Sequence, residues 1–300
     1  MKVSVVISAF NEEVKIEKCL QSLKNFADEI ILIDNSSTDD TVKIAKKYTD
    51  NIFSRENNPM LNVNKNFGFT KASNEWILSL DADEIITEEL ASGIKDIKET
   101  NDVNGYYIPR KNIIFGKWIR HSIWWPDYQL KLFKKGKGKF SKASVHQPIE
   151  VKGETRHLSE PLIHHNYNSI SQFVFKMNSI YTEIEAEELV NSGRKVSASD
   201  AIKMPASDFL KTYFLQKGYK DGLHGFVLST LQAFYMFLVF AKVWERQGFF
   251  EKKQEDMVKI FQEESEKYHK EFKYWMFTAL FNEVRNPVKK ITFYLARKLL

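Results

Sequence analysis

Apolar and polar positions follow two different rhythms along this chain. Residues 3–10, VSVVISAF, form a short β-branched run, and Ile16, Leu20, Leu23 and Ala27 then recur at helical spacing up to a second apolar run, EIILID. The pattern predicts strand, helix, strand. It repeats, because STDDTVKIAKKY reads as a helix with a serine or threonine cap, NIFS as a short strand and residues 61–73 as a helix leading into EWILSLD. Alternation of this kind implies an α/β fold, a mostly parallel sheet with helices on both faces, which binds ligands beyond the carboxyl ends of its strands. Asp34 and Asp81 are expected at two of those ends.

From about residue 100 the helical period disappears. GYYIPRKNIIFGKWIRHSIWWPDYQLKLFKKGKGKF is rich in aromatic and β-branched residues with glycine turns, and it reads as further strands and loops over the site. Residues 169–192 return to a helical pattern, a polar link follows at Asn191 to Arg194, and Pro205 is expected to start a new helical region that continues to the C-terminus. Three segments are therefore expected. Residues 1–100 form the ligand-binding half of the α/β body, 101–200 its second half, and 201–300 a helical extension.

Composition changes this picture little. The chain has 300 residues, 43 % of them hydrophobic and 28 % charged, which is ordinary for a soluble protein, while 14 % aromatic content with 23 Phe is high. A net charge of +5 favours anionic partners mildly and is far from the signature of a nucleic-acid binder. The lone Cys19 falls on the apolar side of a predicted helix and reads as a small buried hydrophobe. The N-terminal apolar run is short and followed at once by a Glu pair, so it reads as a first strand with no secretory signal and points to the cytosol.

The chemistry is concentrated in LSLDADEII, residues 78–86. In an extended strand residues i and i+2 share a side, so Asp81 and Asp83 place two carboxylates in one spot at the end of a buried run. Like charges there are costly. A hard divalent ion such as Mg²⁺ or Mn²⁺, sharing oxygen ligands with substrate phosphates, turns the pair into a usable site, whereas an isolated D-x-D is more often a turn or helix cap.

Context decides between these. VSVVISAFNEE, ILIDNSSTDDT and NKNFGFTKASNEWILSLDADE resemble, in order and spacing, the nucleotide-sugar half of family 2 glycosyltransferases, an inverting family with the GT-A fold. WWPDYQLKLF, VHQPIEVKG, PLIHHNY and GYKDGLHGF resemble the subgroup that adds sugars, often β-linked glucose, to the inner core of bacterial lipopolysaccharide. The resemblance implies that Asn11, Glu12 and Asp34 contact the nucleoside, with Asp34 toward the uracil edge, and that Lys65, where the family usually has arginine, neutralises the diphosphate without bidentate geometry. It implies Asp81 near the ribose or the metal, and Asp83 on the metal.

Inverting transfer also needs a general base for the acceptor hydroxyl. Asp127 is the candidate, since aromatic surroundings can raise a carboxylate's pKa, and Trp124 and Trp125 suit sugar faces; a Pro-Asp turn is the alternative. Gln147 stands where related sequences carry a glutamate, and His146 is a candidate metal ligand or a buried, hydrogen-bonded histidine. His164 and His165 lack the spaced partners of a zinc site and are assigned a structural or acceptor-side role.

GLHGFVLSTLQAFYMFLVFA, residues 222–241, has no Asp, Glu, Lys or Arg and would span about 30 Å as a helix. Two glycines, a histidine and basic flanks favour a helix packed on the body or lying in an interface over one that crosses. The last 16 residues carry five cations and no acid, with Ile291, Tyr294, Leu295 and Lys298 at helical steps, and read as an amphipathic helix on an anionic membrane surface. The function expected is metal-dependent transfer of a hexose, glucose from UDP-glucose, to a lipid-linked glycan at the cytosolic membrane face by a peripherally bound enzyme that takes no nucleic acid. A capsule, polyprenyl-linked or peptide acceptor, or a non-catalytic scaffold, is the alternative.

Overall fold

The computed structural model describes residues 1–57, 61–97, 102–141 and 148–299. The chain runs through β1 (Val3–Ala9), α1 (Ile16–Leu23), β2 (Glu29–Asp34), α2 (Thr41–Ala45), β3 (Ile52–Ser54), α3 (Leu61–Lys71), β4 (Trp76–Asp81), β5 (Glu84–Ile86), α4 (Glu88–Lys95) and β6 (Val103–Ile114). It continues with β7 (Lys117–Trp118), β8 (Asp127–Lys134), β9 (Gly138–Phe140), β10 (Ile149–Val151), β11 (Glu154–His157) and β12 (Leu162–Tyr167). Helices α5 (Ile170–Lys176), α6 (Thr182–Asn191), α7 (Asp200–Phe209), α8 (Leu223–Arg246), α9 (Gln254–Glu283) and α10 (Pro287–Lys298) follow. Two compact units result, one of residues 1–114 and 124–166, the other of residues 115–123 and 167–300.

The α/β class is as expected. In the first unit the strands follow the order β3-β2-β1-β4-β8-β6-β12-β5. β1 pairs in parallel with β2 and β4, and β2 with β3, while β8 pairs antiparallel with β4 and β6, and β12 antiparallel with β5. The parallel half matches the strand and helix alternation; the antiparallel half is the aromatic stretch that shows no helical period. The register Ala9↔Asp34 and Ser8↔Asp81 brings the carboxyl ends of three strands level.

Alternation along β1 decides what each face meets. Val5 and Ile7 pack with Ile16, Leu20 and Leu23 of α1 and with Leu78 and Leu80. Val6 points the other way, to Ile31, Ile33, Phe69 and Phe133. α3 lies very close to that face, because a Cβ built on Gly68 would stand 2.5 Å from Val6 Cγ1 and 2.8 Å from Ile33 Cγ1. Only glycine permits the approach.

The helix expected over residues 37–48 is shorter than its pattern. It begins at Thr41, since Ser37, Thr38 and Asp39 bond the loop after β1 instead of starting a helix.

In the second unit α6, α7 and α8 share a core that includes Ala186, Val196, Phe240 and Val243. The helical region begins at Asp200, not at Pro205, which lies inside α7. Asp200 Oδ2 accepts from the backbone N–H and the hydroxyl of Ser197 at 2.7 and 2.8 Å, and that bond sets the start. Asp221, 3 % exposed, accepts from Arg120 N–H at 3.1 and 3.2 Å and lies 3.2 Å from His121 Nδ1, so the motif GYKDGLHG holds the 115–123 loop.

α8 is long and apolar enough to cross a membrane by length and composition alone. Leu228, Val239, Phe240 and Val243 on it are buried, while Leu223, Phe226, Phe234 and Phe237 are exposed. α10 stacks on α9, with Phe293 against Phe277 and Tyr294 against Phe281, so much of the aromatic run 272–281 holds two helices together.

Candidate active site

The site forms where β1, β2 and β4 end. Asn11, just beyond β1, has φ +53°, a backbone region that Asn tolerates better than most residues. Its N–H donates to Ser37 Oγ at 3.0 Å and its Oδ1 accepts from Thr38 N–H at 2.8 Å. Glu12 N–H donates to Thr41 Oγ1 at 2.8 Å. The AFNEE and DNSSTDDT motifs are thus two loops fastened to each other. Asp34 is 3 % exposed and its Oδ1 accepts from Ser37 N–H at 3.2 Å. Beneath it, Asn35 donates to Ser8 Oγ and Ala9 O, both at 2.9 Å, and accepts from Asn64 Nδ2 at 2.5 Å.

Asp81, Asp83 and Glu84 do come together, and side-chain cations balance them. Lys65 Nζ lies 2.5 Å from Asp81 Oδ1, and Lys131 Nζ lies 2.9 Å from Asp81 Oδ2 and 2.8 Å from Glu84 Oε2. Glu84 Oε2 also accepts from Asp81 N–H at 2.9 Å. The other oxygen of Glu84 is buried without a hydrogen bond, with Arg110 Nη1 4.0 Å away. Lys15 Nζ is 3.4 Å and His164 Nε2 3.6 Å from Asp83.

Titration follows from this arrangement. Burial acts to raise the pKa of Asp81, but Lys131 and Lys65 hold it well below the usual carboxylate range. Burial opposes ionisation of Asp83 too, yet the His164 contact and Lys15 bring it down to about 2. Lys131 is itself buried, which acts against its charge, and Asp81 and Glu84 reverse that and raise its pKa.

Asp127 departs from the sequence expectation. Its pKa is lowered, not raised: burial acts upward, but Arg110, Asn112 and Gln129 outweigh it. Arg110 Nε donates to Oδ2 at 2.8 Å, Asn112 Nδ2 to Oδ2 at 3.1 Å and Gln129 Nε2 to Oδ1 at 2.8 Å. The register Arg110↔Asp127 between β6 and β8 produces the first of these bonds. The aromatic neighbours that suggested an apolar pocket are outweighed by donors on the adjoining strand.

The structure therefore gathers Lys65, Asp81 and Asp83, and adds Lys15, Glu84, Arg110, Asn112, Lys131 and His164, which the sequence reading did not single out or placed elsewhere. One signal was present: Lys131 in YQLKLF and Asn112 in RKNIIF are polar residues inside apolar strands, and a buried polar group requires a partner. His146 and Gln147 lie outside the described residues.

The residues fit a divalent cation of the kind that takes one or two carboxylates and completes its shell with phosphates and water. Both oxygens of Asp81 are engaged by ammonium groups at short range, whereas the contacts of Asp83 are long, so Asp83 is the more accessible ligand. Among the described residues no three His, Cys, Asp or Glu side chains form a closed metal cage.

The model of the family described as "Glycosyl transferase family 2" matches residues 4–149. An uncharacterized glycosyltransferase of Rickettsia typhi is 31 % identical over 258 residues, covering 81 % of this chain and 87 % of its own length. The lipopolysaccharide core biosynthesis glycosyltransferase LpsC of Rhizobium meliloti is 27 % identical over 255 residues, covering 83 % and 94 %. Among solved structures, residues 1–349 of S. aureus TarS in complex with UDP align with a TM-score of 0.43 at 17 % identity, covering 84 % of this chain and 93 % of that one. Glucosyl-3-phosphoglycerate synthase from Mycobacterium tuberculosis, with Mg²⁺ and UDP, aligns with a TM-score of 0.41 at 15 % identity, covering 66 % and 81 %.

Proposed function

This chain belongs to glycosyl transferase family 2, and from that premise we propose that it transfers a hexose, glucose from UDP-glucose, with inversion onto a lipid-linked glycan such as the inner core of lipopolysaccharide or lipooligosaccharide. The observation that carries the reading is the convergence of Asp34, Asp81 and Asp83 with Lys15, Lys65 and Lys131 at the carboxyl ends of the parallel strands. The acceptor class is supported by the printed name of LpsC, 27 % identical across most of both chains.

Each residue has a part in this reading. The Asn11 and Glu12 loop and Asp34 receive the nucleoside. Lys65 and Lys15 lie beside the carboxylates and supply positive charge to the diphosphate, and Asp83, with Asp81 next to it, holds a divalent cation. When bound, that cation withdraws charge from the departing nucleoside diphosphate. The acceptor oxygen attacks the anomeric carbon opposite the leaving group, its proton passes to Asp127, and the glycosidic carbon–oxygen bond to the diphosphate breaks. Asp127 is ionised and oriented by Arg110, Asn112 and Gln129, so it stands ready to take a proton that becomes acidic only as the bond forms. Trp124 and Trp125 precede it and offer ring faces to sugars.

The acceptor is reached at the cytosolic membrane face, where we place the basic α10. Calorimetry of UDP binding with and without Mn²⁺, on the wild type and Asp83→Ala, tests the donor site. Metal-dependent binding that the substitution abolishes is expected. Failure of the folded wild type to bind UDP in either condition would overturn the reading.

A further inference from the structure

Asn112 is fully buried near the end of β6 and touches three groups that belong to different parts of the site. Its Nδ2 lies 2.9 Å from the carbonyl of Trp124 and 3.1 Å from Asp127 Oδ2. A carbonyl oxygen and an ionised carboxylate only accept hydrogen bonds, so the amide nitrogen must face them and the amide oxygen must face the opposite way. That oxygen lies 2.7 Å from His164 Nδ1. An amide oxygen only accepts, so Nδ1 of His164 carries a proton.

The consequence falls on the other ring nitrogen. With Nδ1 protonated, the neutral imidazole has its lone pair on Nε2, and Nε2 is 3.6 Å from Asp83 Oδ1. Strand register makes this meeting structural: β12 pairs with β5 so that His164 stands opposite Glu84, and His165 N–H donates to Asp83 O at 3.0 Å. A carboxylate oxygen and an imidazole lone pair turned toward each other repel, unless an electron-pair acceptor joins them. Histidine ligands are commonly oriented by a hydrogen bond from their other nitrogen to a carbonyl or carboxylate, which is the part Asn112 plays here.

We infer that Asn112 is a positioning residue that holds His164 as the Nδ1–H tautomer, so that Nε2 joins Asp83 as a ligand to the divalent cation, while the same side chain orients Asp127. This rests on the donor reading given above. One buried amide then links the metal side of the site to the proton-accepting side. Imidazole suits Mn²⁺ better than it suits Mg²⁺, so the ligand pair also favours Mn²⁺.

Mn²⁺ uptake in the presence of UDP, followed by the EPR signal of free Mn²⁺, tests the assignment on the full chain. His164→Gln and Asn112→Leu are expected to weaken Mn²⁺ binding by about 10- to 100-fold, the usual effect of losing a ligand's orienting partner. Asn112→Asp keeps an oxygen facing Nδ1 but brings a second carboxylate to Asp127; it should hold Mn²⁺ nearly as well as wild type while kcat falls. Should Asn112→Leu fail to fold, the ¹⁵N shifts of wild-type His164, identified by their loss in His164→Gln, give an independent reading. A pyridine-type Nε2 in the neutral ring supports the assignment and an Nε2–H tautomer overturns it. Unchanged Mn²⁺ affinity in folded His164→Gln also overturns it, and leaves the donor reading intact. If wild type takes up no Mn²⁺ with UDP present, both fall together.

Discussion

Lys131 Nζ stands 2.9 Å from Asp81 Oδ2 on a neighbouring strand, and the ammonium is 92 % removed from solvent by its 8 % side-chain exposure. It also holds Glu84, whose side chain is wholly buried. The acidic motif at the end of β4 is therefore neutralised by residues of the fold as well as being open to a bound cation. Replacing Lys131 with Met leaves Glu84 and Asp81 without their shared donor, and breaking a buried pair from one side costs about 3–5 kcal/mol. Urea unfolding should show a loss in that range. Adding Glu84→Gln should restore part of it, because the two residues are directly coupled; additive losses would contradict that.

Asp127 is held ionised at pH values below the ordinary carboxylate range. A base of that kind needs no deprotonation between pH 5 and 8, so it adds no acid limb to kcat/KM in this window. Asp127→Asn should lower kcat by about 10²- to 10⁴-fold, the common size of a general-base contribution. An acid limb near pH 6 that disappears in the variant would point to a raised pKa and a different surrounding.

Asp83 has a native pKa of about 2 against the usual carboxylate value. Its ionised form thus stabilises the fold at pH above the unfolded value of about 3.9, and that contribution is lost as pH falls toward 2. The size is on the order of 2 kcal/mol. Wild type should lose more stability than Asp83→Asn between pH 5 and pH 2.5, and equal losses would show that the contact with His164 and Lys15 is not maintained in solution.

Gly68→Ala should affect both stability and donor binding. The added methyl meets Val6 and Ile33 inside contact distance and costs about 1–3 kcal/mol by overpacking. α3 must then shift, and it carries Lys65 and Asn64. A lower melting temperature together with weaker UDP binding is expected; a lower melting temperature alone would separate the helix position from the site.

On α10 the side chains of Val288, Ile291, Leu295 and Leu299 are exposed along one stripe, with Lys289, Lys290 and Lys298 on the same helix. Ile291→Glu combined with Leu295→Glu should abolish flotation with anionic vesicles while UDP binding stays at the wild-type level. Binding that survives both substitutions would move the membrane contact away from this helix.

The order of strands and helices in the first hundred residues, the positions of Asp34 and Asp81 at strand ends and the helical C-terminal region were legible in the sequence, because each depends on local period and on neighbours a few positions away. The acidic pair at Asp81 and Asp83 was legible for the same reason. What balances those charges was not. Lys131, Arg110, Asn112 and His164 reach the site through the antiparallel register of β8, β6 and β12, which brings together residues up to 81 positions apart along the chain, as in the pairing of Asp83 with His164. The same register reversed the expectation for Asp127: its sequence neighbours are aromatic, but its spatial neighbours are Arg110, Asn112 and Gln129. Local pattern determined the scaffold and the acidic motif, and cross-strand contact alone decided the electrostatics of the site, since charge interactions act through space and not along the chain.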